Sequence, residues 1–181
     1  VLTCAVPPGV GSEFTWVLRV GSDVVEGVRS NQTLQFANAF AYSTPIITSV
    51  WVNNININTH AGQPTLSTTG GTSIRLVGTS MGPLNTSKST IEVKYAKGLS
   101  GMDLNNNPNS GYIAMDCVVS MAHTEISCTS VAGIGKELEF WISNLAGSYS
   151  NVLSTFQARY DLPILSSIAV KGGSSSDPST L

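Results

Sequence analysis

The sequence predicts an all-β protein built as an antiparallel β-sandwich, and three observations lead there. Nowhere do apolar residues recur at helical spacing over a full 11-residue window without an interrupting Gly, Pro or Asn. Short β-branched and aromatic segments occur throughout the chain, each bounded by turn residues. These segments run 5 to 8 residues with punctuation every 8 to 15, the rhythm of strands joined by turns rather than of strands alternating with helices.

Taken in order, the strand-like segments are 14–20, 46–52, 73–77, 90–95, 112–119, 125–129 and 137–142. The second follows Pro45, which has no N–H to give a ladder and therefore belongs at the first residues of a strand, on an edge. Pro163 sits in the same way before Ile164. Gly70-Gly71 precedes the third segment; two glycines can take positive φ in a tight turn, so that Ile74 and Leu76 enter alternating inward. Residues 99–110 contain Asn105-Asn106-Asn107-Pro108-Asn109, which cannot continue a central strand and predicts an exposed loop. The tail at 172–180 is Gly/Ser-rich, the composition of a flexible linker.

Polarity in this chain comes from neutral groups. Among 181 residues there are 25 Ser, 17 Thr and 13 Asn, but only 9 Lys+Arg and 11 Asp+Glu. A net charge of −2 excludes a surface that holds nucleic acid by neutralising phosphates, and it argues against anionic membrane surfaces. Hydrophobic residues at 41% suffice for a packed core, and no apolar run approaches the ~20 residues of a membrane helix.

The chain also repeats itself. Cys4-Ala5-Val6-Pro7-Pro8-Gly9-Val10-Gly11 and Cys128-Thr129-Ser130-Val131-Ala132-Gly133-Ile134-Gly135 both read Cys-x4-Gly-aliphatic-Gly, 124 residues apart. Tyr42-Ser43-Thr44-Pro45-Ile46-Ile47 and Tyr160-Asp161-Leu162-Pro163-Ile164-Leu165 match 118 residues apart. The two matches imply a module of about 120 residues in tandem: residues 1–43 as the C-terminal part of a preceding copy, 44–161 as a complete copy, and 162–181 as the first strand and linker of a following one.

In that arrangement the complete copy presents Tyr42-x-x-Pro45-Ile46-Ile47-x-Ser49-Val50, then Gly70-Gly71-Thr72, the Cys117 to Cys128 hairpin, Gly133-Ile134-Gly135, and Phe156-x-x-x-Tyr160-x-x-Pro163. This resembles the IPT/TIG domain of plexin and Met-type receptors, Rel-type transcription factors, some polysaccharide-acting enzymes and repeat-bearing surface proteins. The resemblance implies an Ig-like (early-set) β-sandwich. Met81 stands where the family commonly has Phe, and the loop at 96–111 is long.

Three cysteines are an odd number. Cys117 and Cys128 flank a strand-turn-strand segment with Ala122-His123-Thr124 at its turn, so they face each other across a hairpin, and a disulfide is the preferred reading. The alternative is two small buried thiols in a reducing compartment. Cys4 holds the place of Cys128, so its partner is expected upstream of Val1, about 11 residues before it as Cys117 precedes Cys128. Two sequons, Asn31-Gln32-Thr33 and Asn85-Thr86-Ser87, are candidate N-glycan sites if the protein is secreted, or chance triplets in an Asn- and Thr-rich chain. Ser/Thr clusters near Pro64 and Pro178 suit O-linked sugars.

Catalysis and metal binding find no support, and no cofactor is expected. His60 and His123 lack metal-ligand spacing and read as solvated turn residues. Glu137 and Glu139, two apart, read as a solvated strand face rather than a glycosidase pair. Trp16, Trp51 and Trp141 lie within strands and read as core or inter-module packing rather than a sugar platform. Tyr42 and Tyr160, three residues before their prolines, are placed to close one end of a sandwich and touch the next module.

The functional expectation is a non-enzymatic, extracellular or cell-surface structural protein of tandem modules, glycosylated, forming a coat, stalk or fibril. Its partners would be neighbouring copies of the module, with no nucleic acid and no direct membrane insertion. Two alternatives stand beside it: a plexin- or Met-like receptor or adhesion ectodomain, and an accessory module of a polysaccharide-acting enzyme.

Overall fold

A computed structural model of the chain describes residues 3–11, 14–20, 32–59, 64–84, 91–98, 111–143, 149–151 and 157–167. These residues contain strands and no helix. In chain order they are β1 (Phe14–Val20), β2 (Gln32–Phe40), β3 (Ile46–Val52), β4 (Ile55–Asn56), β5 (Ser73–Thr79), β6 (Glu92–Lys97), β7 (Tyr112–Ile113), β8 (Met115–Met121), β9 (Glu125–Thr129), β10 (Leu138–Ser143) and β11 (Tyr149–Asn151). Asn31, Asn85, His60, Phe156, the 99–110 loop and the 168–181 tail lie outside the described residues.

Strands β4-β3-β5-β9-β8 form a five-stranded antiparallel sheet and β11-β10-β6-β7 a four-stranded one, while β1 and β2 pair separately. Alternation decides which side chains meet. Ile47, Val50 and Val52 of β3, Ile74 and Leu76 of β5, and Ile126 of β9 point to one side of the larger sheet. Val93 and Tyr95 of β6 with Leu138, Phe140 and Ile142 of β10 complete the same buried cluster from the smaller sheet. An all-β arrangement with one core shared by two antiparallel sheets is compatible with a β-sandwich. Each fully buried aliphatic side chain in it contributes about 1.5–3 kcal/mol.

Sequence details account for the departures from regularity. Pro45 is buried and immediately precedes β3. Because β4 covers only Trp51 and Val52, the first residues of β3 have no partner strand on that side among the described residues, the setting proline requires. Thr48 is the extra residue of a bulge between Ile47 and Ser49, and its hydroxyl donates to the Val77 carbonyl at 3.1 Å. Gly70 and Gly71 both have φ of +81°, and Gly71 N–H donates to the Ser130 carbonyl, which ties this turn to the end of β9.

One predicted strand is two. The 112–119 run pairs with β6 through Tyr112 and Ile113, then crosses at buried Ala114 and joins β9 from Met115 onward. Ala114 N–H still donates to Val93 in the first sheet, and Asp116 has a positive φ of 54° in the second. A run of β-formers specifies extension but not which sheet receives each part. The boundaries of three other strands also move by one or two residues: β5 runs on to Thr79 rather than ending at Val77, β6 starts at Glu92 rather than Thr90, and β10 at Leu138 rather than Glu137, whose φ is +58°.

Candidate functional site

The chain's clearest constructed feature is a tyrosine held against a glycine turn. After β11, Ala158 and Leu138 exchange two backbone hydrogen bonds of 2.9 Å, and Tyr160 N–H donates to Gly135 at 2.8 Å. On its other side the same segment runs parallel to Leu66, with Leu66 N–H donating to Arg159 and Asp161 N–H donating to Leu66. The Tyr160 hydroxyl donates to the Val131 carbonyl at 2.8 Å. Its single proton is thereby used, so the Tyr95 hydroxyl, 2.8 Å away, donates to it and accepts from Val131 N–H. Tyr112 packs edge-on against Tyr160 and holds both backbone groups of Ile134 through its hydroxyl. Gly133 lies beneath these rings: a Cβ there would come within 2.7 Å of both Tyr112 and Tyr160. Burial, above all, raises the Tyr160 phenol far above its ordinary range, and Tyr95 is raised for the same reason.

The N-terminal residues repeat the turn-and-tyrosine part of this arrangement. Tyr42 N–H donates to Gly11 at 2.9 Å, as Tyr160 does to Gly135, and the Tyr42 hydroxyl donates to Pro7, the position equivalent to Val131. A Cβ on Gly9 would lie 2.6 Å from the Tyr42 ring. Gly11 and Gly135 have φ of 109° and 117°. Phe14 pairs with Phe40 as Leu138 does with Ala158. Neither Gly9 nor Gly133 is recognisable in sequence as a seat for a ring; both look like ordinary turn residues.

What surrounds the two tyrosines differs. Tyr160 is buried among Tyr95, Tyr112 and Leu66. Tyr42 is half-buried, has Phe14 edge-on at 5.5 Å, and lines a cleft of about 360 Å³. One wall of the cleft is Val6, Pro7, Pro8 and Gly9; the other is Ser80, just past β5, and His123 from the turn between β8 and β9. That second wall is braced internally: Met81 N–H donates to His123, and His123 N–H to Gly82.

The remaining candidate residues are dispersed over the molecule. Cys117 and Cys128 are joined in a disulfide, with Cα atoms 4.1 Å apart, and Cys4 is a free, exposed thiol. Residues 122–124 form the turn between β8 and β9, with His123 exposed at φ of 60°. Glu139 lies in β10 and Glu137 before it; Glu137 pairs with Lys97 at 2.7 Å, which holds its carboxyl below the usual range. Trp51 stacks under the Arg75 guanidinium, 4.5 Å from the ring centre, and Arg75 pairs with Glu125 at 3.2 Å. Ser120 donates to the same carboxylate, so this outer sheet face is a connected polar network. Trp141 is fully buried and Trp16 is exposed. Among the described residues no cluster of three or more His, Cys, Asp or Glu is placed to hold a metal ion, and no helix is long and apolar enough to cross a membrane.

Comparison with protein-family models, with curated proteins and with solved structures found no match.

Proposed function

We propose that the chain is a stretch of a non-enzymatic extracellular structural protein built of tandem IPT/TIG-like modules of about 120 residues, glycosylated at Asn31 and Asn85 and assembled as a surface coat, stalk or fibril. The observation that carries this reading is the recurrence of the tyrosine–glycine seat, at Tyr42 over Gly9 and at Tyr160 over Gly133. A catalytic centre has no use for a repeated end-piece; an array does. The Cys117–Cys128 disulfide is compatible with an oxidising compartment. The low density of charge suits a surface covered by sugars and by neighbouring modules.

Material from the native source, imaged directly, is expected to show regularly repeating assemblies; isolated or membrane-attached molecules would instead favour a receptor ectodomain. Intact mass before and after deglycosylation supplies a second check. Unmodified Asn31 and Asn85 together with free thiols at Cys117 and Cys128 would sink the extracellular reading.

A further inference from the structure

We infer that the Cys117–Cys128 bond is a redox clasp: a small uncharged dithiol reduces it in the folded protein, and reduction releases β8 from the larger sheet while the other strands stay in place. The inference concerns one strand and its neighbours, and it stands or falls independently of the tandem-module reading.

β8 is weakly built into the fold. It lies at one end of the five-stranded sheet and pairs with β9 alone among the described strands. Of its seven residues only Cys117 and Val119 are buried, whereas β3, of the same length, buries Ile47, Val50 and Val52. Met115, Val118 and Met121 are exposed, so the strand itself brings little to the core.

The ladder that holds β8 is broken twice. Met115 pairs with Thr129 and Val118 with Ser127, so Asp116 and Cys117 together stand opposite Cys128. Val119 then pairs with Ile126 and Met121 with Glu125, which leaves Ser120 as the extra residue of a second bulge. Only Val118 and Val119 form a regular stretch between the two. The disulfide lies inside the first gap and bridges it covalently. Across the second, Ser120 donates to Glu125 at 2.6 Å and Ser127 to Ser120 at 3.0 Å, both in contact with water, where such bonds hold weakly.

Both ends of the strand are fastened by other means, which confines the release. Ala114 N–H donates to Val93; His123 N–H donates to Gly82, and Met81 N–H donates to His123. Reduction therefore loosens residues 115–121 between two fixed points and leaves β9 as the edge of the sheet.

A route to the bond is present. A cleft of about 170 Å³ lies against Cys117, lined also by Ile91, Glu92, Ile113, Ala114 and Asp116. Ile113 and Asp116 are exposed, so the cleft opens to solvent. Its carboxylates, Asp116 and the Lys94-paired Glu92, disfavour a reagent that carries fixed negative charge, which leaves a small uncharged dithiol. One thiolate of that dithiol attacks Cys117 Sγ, the S–S bond breaks, and Cys128 departs as a thiolate that takes up a proton. The second thiol of the reagent then displaces Cys117 and closes the reagent's own disulfide. Two electrons and two protons pass from the dithiol to the protein.

The test uses the full chain with Cys4→Ser, so that no third thiol exchanges, and dithiothreitol as the probe. The rate of reduction is expected to stay unchanged in urea well below the unfolding midpoint; a rate that climbs along the global unfolding slope overturns the access route. Hydrogen exchange then reads the strand. In the reduced protein the β8 amides bonded to β9 are expected to exchange at least about tenfold faster than in the oxidised one, while β3, β5 and β10 amides are still protected at the time β8 is fully exchanged. Protection of β8 unchanged by reduction, or protection lost from all strands together, overturns the clasp. Cys117→Ala with Cys128→Ala removes the crosslink without a reductant and is expected to reproduce the reduced pattern; the oxidised pattern in that variant overturns the inference as well.

Discussion

Residues 3–43 and 127–161 hold the same turn, the same tyrosine and the same first cross-strand pair, but the strands that flank them differ. Around Tyr160, β6 and the residues near Leu66 supply a wall of aromatics and a parallel backbone bridge. Around Tyr42 the described residues offer only the β1–β2 pair and the rim at Ser80 and His123. Local geometry is thus specified by short sequence and survives without the core, whereas burial depends on strands distant in the chain. The hairpins diverge accordingly. Beyond the shared first pair, β1 and β2 run through Val17↔Gln35, while β10 and β11 run through Trp141↔Asn151, a register two residues away from the equivalent one.

Four measurements separate the two tyrosine sites. Replacing both Cys117 and Cys128 with alanine is expected to cost about 2–4 kcal/mol in denaturant unfolding, as loss of the cross-link frees the unfolded chain. Cys4→Ala, at the equivalent place but without a partner in the described residues, should leave the midpoint unmoved; an equal loss would mean that the two sites do not differ in the way their surroundings imply. Next comes Gly133→Ala, whose methyl meets two rings, with a cost of about 1–3 kcal/mol. Gly9→Ala meets a half-exposed ring that can move aside, so the main transition should hardly respond.

Tyr160→Phe is a smaller change. It leaves the Val131 carbonyl and the Tyr95 hydroxyl each one partner short, a loss of about 1–3 kcal/mol. For Tyr42→Phe, at an exposed bond, about 0.5 kcal/mol or less is expected; thermal melts of the pair side by side decide the ordering. The last effect appears only in alkali. Tyr95 and Tyr160 have folded-state pKa values raised above the ordinary 10.0, so their contribution is fully present below that pH. It declines as pH rises further, because the unfolded chain ionises first. Stability should therefore fall above pH 10 in the parent and fall less steeply in Tyr160→Phe; identical slopes would show that this phenol does not carry the effect.

Much of the fold is legible in the chain because it depends on spacing. Alternating Ile74 and Leu76, the Gly70-Gly71 turn, the hairpin between Cys117 and Cys128 and Pro45 at the start of β3 are all local signals, and each sits where its chemistry places it, whereas Pro163 is exposed and residues 164–167 after it form no strand. The illegible part is non-local. Nothing near Ala114 says that the chain changes sheets there, since both halves are equally good strand. Nothing near Gly133 says that Tyr112 and Tyr160, 21 and 27 residues away, converge on it. Arg75, Trp51 and Glu125 likewise meet only because β3, β5 and β9 are neighbours.

The parallel bridge between Leu66 and Tyr160 has a mechanical meaning. In the tandem arrangement proposed above, tension would enter at Ile46 and leave at Asp161, at opposite ends of β5. The β3–β5 ladder and the two hydrogen bonds at Leu66 then carry load along the strands, in shear, so they must yield together rather than unzip in turn. Should they yield, the Cys117–Cys128 crosslink keeps residues 118–127 from lengthening the tether. A unit fastened in this way resists stretch first and limits its extension afterwards.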